Sequence, residues 1–246
     1  MSYSRNSGSV TGPHNTGGLI GHNDGGTVEK SYNTGGITGG DNTGGLVGYS
    51  DGGTVEKSFN TGSISGADNI GGLVGYNDGG EVTNSYNTGD VSGSFRVGGI
   101  AGYYPGGGVV LYCYNTGPVS GYHYTGGVIG HYSSPGYGRV VAFNRSLSYT
   151  LSGDIVVTRV FCGTGFFSGN KARDDMVVTD GGIIRTVLYN TYGNDGEGIP
   201  VGTALSQVFS GWDRGIWDIP HGSLVVNGAL PKLRRMPLGT QAPVLP

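Results

Sequence analysis

Hydrophobic residues in the first 144 positions occur in short clusters that alternate with glycine-rich polar segments. In the unit 44–70, apolar clusters begin at Leu46, Val55 and Phe59, and Ile64 follows the last of these closely. The intervening segments are rich in Asn, Asp, Ser and Gly, which favour tight turns. Each cluster is too short for a helix and has the length of a short strand. The pattern therefore predicts three short strands and three turns per unit.

This unit recurs at a nearly constant step along the chain. Its most regular block is Gly-Gly followed by two apolar residues and a further Gly. The block begins at Gly17, Gly44, Gly71, Gly98 and Gly126, so the steps are 27, 27, 27 and 28 residues. A step of this regularity indicates stacked units, with neighbouring strands about 4.8 Å apart. We therefore predict an all-β fold, a parallel β-helix or solenoid with about 27 residues and three short strands per coil.

Residues one step apart should stack in columns along the axis of such a solenoid. Stacked aromatic rings and asparagine ladders stabilise in-register strands, and an aliphatic column would face the core. The three columns predicted to hold the stack are Leu19, Leu46, Leu73, Ile100 and Val128; Tyr32, Phe59, Tyr86, Tyr114 and Phe143; and Asn33, Asn60, Asn87, Asn115 and Asn144.

The aromatic and asparagine columns also admit a functional interpretation. Exposed rings would form a platform for sugar stacking, and exposed amides would offer hydrogen bonds to sugar hydroxyls. We favour the structural interpretation because Asn beside Gly is ordinary turn chemistry and because the aromatic column alternates Tyr with Phe. Neither column is therefore assigned to binding, and the binding residues stay unknown at this stage.

Two further repeated residues suggest ligands only weakly. Asp24, Asp51 and Asp78 lie in Asp-Gly-Gly turns, but one such Asp per coil falls short of the several oxygen ligands that calcium needs. A threonine column (Thr34, Thr61, Thr88 and Thr116) could order water on a flat face, as ice-binding solenoids do, yet Thr is also an ordinary strand residue. No metal and no cofactor is predicted.

Composition narrows the class of protein. Glycine accounts for 53 of the 246 residues, which disfavours helices, and the charged fraction is only 13%. There are 14 Lys and Arg residues against 17 Asp and Glu residues, a net charge of −3, so nothing marks a nucleic-acid surface. No apolar run approaches the roughly 20 residues that span a bilayer, and we expect no direct membrane insertion.

Cys113 and Cys162 occupy different places in different coils and are predicted to be free thiols.

The period fades towards the C-terminus. We divide one continuous domain into a regular solenoid over 1–144 and degenerate coils with a C-terminal cap over 145–246. Trp212 and Trp217 suit a cap that covers the open edge of the last coil. No such cap is evident at the N-terminal end, which raises end-to-end self-association as a hypothesis.

No catalytic motif is found. The five histidines lack metal-ligand spacing, and no Gly-x-Ser-x-Gly sequence occurs in a strand-to-helix context. Carbohydrate-active solenoids use paired carboxylates, and the acidic residues available for this in the second half are Asp154, Asp174, Asp175 and Asp180. No catalytic residue is assigned.

The sequence Gly-Leu-(Ile/Val)-Gly occurs at 18–21, 45–48 and 72–75. Each copy is followed by Asp-Gly-Gly-x-Val and then by Ser-(Tyr/Phe)-Asn-x-Gly. This arrangement resembles the GLUG motif, which is repeated in bacterial surface proteins, including adhesin-like proteins and the non-catalytic region of IgA-specific metallopeptidases. The resemblance covers about 6–144. It implies an extracellular or cell-surface location and supplies no ligand.

From these observations we expect a non-enzymatic, adhesin-like β-solenoid that acts as a stalk or binding module of a bacterial surface protein. Its partner would be a host or matrix protein or a glycan. The alternatives are a subunit that stacks end to end into an extracellular filament and a carbohydrate-active β-helix enzyme. Because the repeat accounts for the rod, we expect specific recognition where the repeat is broken, in the variable turns, the irregular second half and the uncapped end.

Overall fold

The computed structural model describes residues 1–106, 108–133, 140–142, 145–146, 150–153, 155–158, 160–164, 166–184, 195–200, 202–220, 230–236 and 241. Through these residues the chain forms a parallel β-solenoid of about six coils with a spacing of about 27 residues. Equivalent residues of successive coils pair in register, as Val47 and Val74 do. The predicted fold class is confirmed.

Four sheets run along the solenoid, and a small fifth sheet lies outside it. Sheet 1 contains Arg5–Asn6, Tyr32–Asn33, Phe59–Asn60, Tyr86–Asn87, Tyr114–Asn115, Arg145–Ser146, Lys171–Arg173 and Glu197–Ile199. Sheet 2 contains Val10–Gly17, Ile37–Gly44, Ile64–Ser65, Asp68–Gly71, Val91–Ser92, Phe95–Gly98, Val119–Ser120, His123–Gly126, Thr150–Gly153, Ile155–Thr158, Val177–Asp180 and Ile183–Ile184.

The remaining sheets are shorter. Sheet 3 contains Ile20–Asp24, Val47–Asp51, Val74–Asp78, Ala101–Tyr104, Ile129–Ser133 and Phe161–Thr164. Sheet 4 contains Thr27–Glu29, Thr54–Glu56, Glu81–Thr83, Val109–Leu111, Val140–Ala142 and Phe166–Ser168. Sheet 5 is the antiparallel pair Trp217–Asp218 and Lys232–Leu233.

Each regular coil contains more strands than the three that the hydrophobic pattern predicted. The coil that starts at Val47 has five, because Phe59–Asn60 and Ile64–Ser65 are separate strands and Asp68–Gly71 is a strand as well. The hydrophobic pattern does not predict a strand in the last segment, because Ile70 is its only apolar residue. Backbone pairing with the same segment of the next coil is enough to hold it extended, since Ile70 pairs with Val97 and is fully buried.

The glycines of the repeated block are required by close packing of the backbone. A Cβ atom on Gly45 would lie 2.1 Å from the carbonyl oxygen of Gly72 and 2.7 Å from the Asn60 side chain. A Cβ on Gly48 would lie 2.4 Å from the backbone of Asn15. The second and last glycines of the block therefore let the chain turn between sheets 2 and 3 at van der Waals contact with the neighbouring coil.

Aliphatic side chains fill the interior of the solenoid. The aliphatic column lies there, and its backbone N–H groups bond from coil to coil, for example from Leu46 to the Leu73 oxygen at 2.9 Å. Leu46 and Leu73 are fully buried, whereas Leu19 is partly buried because it belongs to the first coil.

The C-terminal segment packs sideways against the solenoid. Its described residues include the helix Leu205–Val208, Trp212 and Trp217, which cluster with the aromatic column of sheet 1. We expected the tryptophans to cover the open edge of the last coil. They cover the outer face of sheet 1 instead, because the column presents a continuous apolar surface there. No helix in the described part of the chain is long and apolar enough to cross a membrane.

Both cysteines are buried and free, as predicted. Cys113 occupies the column of Ser31, Ser58 and Ser85, whose hydroxyls accept hydrogen bonds from the backbone of the preceding coil at 3.0–3.1 Å. Its thiol lies 3.3 Å from the Leu111 carbonyl oxygen, which corresponds to the local contact that the serines make.

Candidate functional site

The asparagine column lies inside the solenoid, and its amides are engaged in hydrogen bonds. Asn60 donates to the Gly62 oxygen at 2.7 Å and to the Asn87 side chain at 2.8 Å. Its own oxygen accepts from the Gly62 N–H at 3.2 Å and from Asn33 at 2.7 Å. Asn33, Asn60, Asn87 and Asn115 are fully buried. The column therefore offers no amide to a ligand.

The predicted aromatic column is a stack of parallel rings that the C-terminal segment covers. Successive centroids of Tyr32, Phe59, Tyr86 and Tyr114 lie 4.9, 5.0 and 4.9 Å apart. The Tyr114 hydroxyl donates to the Pro231 oxygen at 2.7 Å. With its rings at most 7% exposed, this column cannot be a sugar platform in this conformation.

The continuation of these two columns differs from the prediction. Phe143 and Asn144, which we expected next, lie outside the described residues. The strand that pairs with Tyr114 and Asn115 is Arg145–Ser146, so these two residues extend the ladders. The apolar pattern misplaced the register because Phe143 is the nearest aromatic residue, whereas backbone pairing sets the actual position.

A second ladder of rings, which the sequence analysis missed, follows the repeated block on the outer side of sheet 3. It contains the residue directly after each final glycine: His22, Tyr49, Tyr76, Tyr103 and His131. The Tyr49 and Tyr76 rings stack at 4.8 Å, and those of Tyr103 and His131 at 5.3 Å. The constant Gly-aromatic pair at the 27-residue step was the signal that could have revealed this ladder.

The neighbouring edge of sheet 2 changes character along the rod. One column there reads His14, Asp41, Asp68, Phe95 and His123, so it turns from polar to aromatic between the third and fourth coils. The Phe95 and His123 rings are parallel, with centroids 5.0 Å apart. Tyr122 replaces the small residues that precede it in its own column and lies edge-on to Phe95 at 6.3 Å.

The corner between sheets 2 and 3 changes at the same place. Its residues adopt positive φ, and the first three are Asn15, Asn42 and Asn69, whose side chains bond to one another at 2.8 Å. Arg96 and Tyr124 follow with φ of 53° and 55°. Asn tolerates this left-handed region better than Arg or Tyr do, so the last two positions carry a conformational cost.

The two changed corner residues contact the outer ladder. The Arg96 guanidinium carbon lies 4.3 Å from the centre of the Tyr103 ring, and Nη1 donates to the Asn69 oxygen at 3.2 Å. The Tyr124 ring stacks on His131 at 4.6 Å. We name the resulting surface the aromatic patch; it consists of Phe95, Arg96, Tyr103, Tyr122, His123, Tyr124 and His131.

Burial shifts the pKa values of two titratable side chains at or beside the patch, His131 and Asp68. Desolvation and then the Arg96 charge lower the pKa of His131. Desolvation and then repulsion by Asp41 raise the pKa of Asp68, which Arg96 opposes. The patch therefore combines rings with one guanidinium, and carboxylates adjoin it on the side of the earlier coils.

A family described as the GLUG motif matches residues 12–38 and 66–92, which belong to the first and third coils. Two segments of this chain therefore match the GLUG motif, and we refer to it below as the GLUG-repeat chain. No curated protein matches this GLUG-repeat chain in sequence.

A solved structure shares the fold of the GLUG-repeat chain. It is the crystal structure of a "putative immunoglobulin A1 protease" from Bacteroides ovatus, with a TM-score of 0.67 and 18% sequence identity. The alignment covers 94% of the GLUG-repeat chain and 74% of that structure. At this identity the likeness concerns the fold alone.

Two of the acidic residues considered for catalysis in the GLUG-repeat chain, Asp154 and Asp175, are not supported as members of a catalytic pair. Asp154 lies outside the described residues. Both oxygens of Asp175 accept from Arg173, at 2.8 and 2.7 Å, and this bond lowers the pKa of Asp175. The described residues include no group of three or more His, Cys, Asp or Glu side chains placed to hold a metal ion.

Proposed function

We propose that this GLUG-repeat chain is a non-enzymatic binding module of an extracellular bacterial surface protein, and that it binds its partner through the aromatic patch. The β-solenoid serves as a stiff support that displays the patch. A rod fixes the spacing of the surfaces it displays, and this favours multivalent binding through weak contacts.

The observation that carries the proposal is the break in the repeat at the patch. The first three coils place His14, Asp41 or Asp68, followed by an Asn, at positions where the next two coils place Phe95–Arg96 and His123–Tyr124. Tyr and Arg are the residue types most enriched at binding hot spots. Two of these side chains occupy left-handed positions that Asn would fill at lower cost, and strained positions of this kind cluster at functional sites.

The non-enzymatic part of the proposal rests on the state of the acidic residues. Asp175 is held by Arg173, so it is not free to transfer a proton. The extracellular location rests on the GLUG repeats and on the surface proteins in which such repeats recur. The protease name belongs to the structural neighbour, and for this chain we propose binding without cleavage.

The test is binding of the purified chain to immobilised mucin, fibronectin, collagen and IgA1, with mass spectrometry of each target after prolonged incubation. We expect saturable binding to at least one target and intact targets throughout. Cleavage of any target would overturn the non-enzymatic proposal.

A matched pair of variants locates the binding surface. Tyr122→Ser restores the residue type that Ser94 provides one coil earlier, and Ile183→Ser removes an exposed apolar side chain elsewhere on the rod. We expect the first to weaken binding and the second to leave it unchanged. Equal binding by both variants would show that the patch is not the binding surface.

A further inference from the structure

We propose that the aromatic patch takes a neutral carbohydrate, and that one pyranose ring stacks on the face of Phe95 that points towards Asp68. This inference rests on the proposed function, because it names the ligand class for the same surface. It identifies Phe95 as the platform and Asp68 as the neighbouring acceptor.

Phe95 has one ring face covered and the other without a ring beside it. In the column of sheet 2 it pairs with His123 on one side and with Asp68 on the other. The imidazole of His123 lies parallel to Phe95 and covers the first face. On the opposite side the column continues with the short Asp68 side chain, and Phe95 is 38% exposed.

Tyr122 gives this subsite a side wall. Its ring is 49% exposed and inclined by 64° to that of Phe95. A flat ring next to a raised, inclined ring forms a step into which the edge of a pyranose fits. The C–H groups on one face of a pyranose are apolar and its rim carries hydroxyls, so such a sugar needs an aromatic face with polar groups around it.

Asp68 supplies the polar group on the open side. Its carboxylate makes no hydrogen bond and no salt bridge with the described residues, and burial raises its pKa. A partly buried carboxylate in this state gains from hydroxyl donors that a ligand brings. Asp41 occupies the same column in the preceding coil, and His14, one coil earlier still, lies 3.6 Å from Asp41.

The carboxylates of Asp41 and Asp68 favour a ligand without negative charge. Asp41 and Asp68 line the open side of Phe95, and the nearest cation, Arg96, is already bonded to Asn69 and stacked on Tyr103. A sulfated or carboxylated glycan would bring its anions towards these carboxylates, which is unfavourable. Hydroxyl groups, in contrast, donate to them. The charge complementarity favours a neutral glycan over an anionic one.

The experiment uses isothermal titration of the full chain with defined sugars. The neutral probes are cellohexaose, chitohexaose, mannohexaose and a neutral milk-type hexasaccharide, and the anionic probes are heparin and hyaluronan hexasaccharides. We expect at least one neutral probe to bind, and neither anionic probe to bind more tightly. Binding by the anionic probes alone, or by none of the six, would overturn the proposal.

Three variants test the placement of the sugar. Phe95→Asp restores the residue that Asp68 provides in the preceding coil, so the fold should tolerate it, and we expect affinity for the neutral probe to fall about tenfold or more. Asp68→Asn keeps the platform but weakens the acceptor, so a smaller loss is expected. Ile183→Ser should leave the affinity unchanged. Unchanged affinity in Phe95→Asp, with its thermal unfolding equal to that of the parent chain, would refute the stacking site.

These experiments distinguish failure of the carbohydrate proposal from failure of the proposed binding function. If a protein target binds and Tyr122→Ser weakens that binding while every neutral sugar fails, the patch is a binding surface and the carbohydrate proposal is wrong. If sugars bind and Phe95→Asp abolishes their binding, both proposals are supported.

Discussion

The asparagine ladder gives the sharpest prediction about stability. Asn60→Ala removes a fully buried amide that takes part in four hydrogen bonds. The Gly62 N–H and C=O lose their side-chain partner at a buried position. An orphaned buried group costs about 1–3 kcal/mol, so we expect the variant to lose about 2–5 kcal/mol of unfolding free energy.

Urea denaturation followed by circular dichroism measures this change, with the slope of the transition compared between proteins. Asn6→Ala is the matched control, because Asn6 makes the same two donor contacts, to Gly8 and to Asn33, at the exposed end of the ladder. Water can replace its bonds, so we expect a loss of at most about 1 kcal/mol. Equal losses in the two variants would refute the argument that burial of the ladder sets its contribution.

Further predictions concern close packing, the corner column and the buried thiol. Gly45→Ala should destabilise the chain by about 3 kcal/mol or more, because the new Cβ would overlap the Gly72 oxygen. Gly52 has a φ of 65° and open space around it, so Gly52→Ala should cost only about 1 kcal/mol. Thermal unfolding measures both changes. The unfolding free energy of Arg96→Asn in urea should lie within about 0.5 kcal/mol of that of the parent chain, because Asn adopts the left-handed backbone at lower cost and this offsets the lost contact with Tyr103. A loss above about 1.5 kcal/mol would mean that Arg96 is retained for stability. Burial raises the pKa of Cys113 to about 12, so the folded state keeps its proton when the unfolded state ionises. The contribution of this thiol to stability is therefore complete below about pH 9 and declines as the pH rises towards 12. Because burial also raises the pKa of Tyr86, Tyr104 and Tyr114, unfolding measured against pH should show a smaller alkaline decline in Cys113→Ser than in the parent chain. Native Cys113 should resist alkylation.

The period of the sequence was sufficient to predict the coil and its length. Stacked coils repeat the same backbone contacts, so residues such as Leu46 and Leu73 must meet at a fixed step. The number of strands per coil was harder to predict from the hydrophobic pattern, because Asp68–Gly71 is held by backbone pairing and not by a run of apolar side chains.

The candidate site was harder to predict than the fold. A column of rings has the same sequence signature whether it is buried or exposed. The column at Tyr86 is buried by Trp217 and its neighbours, which lie more than a hundred residues later, whereas the column at Tyr76 stays partly exposed. Such long-range covering cannot be inferred from local periodicity.

The central claim is that recognition belongs to the patch and not to the repeat. Its most direct test is a variant in which the patch is restored to the residues of the preceding coils, namely Phe95→Asp, Arg96→Asn, Tyr122→Ser and Tyr124→Asn. Biolayer interferometry against the target that the parent chain binds should detect no binding by this variant, while its thermal unfolding matches that of the parent. Undiminished binding by the restored chain would contradict the claim.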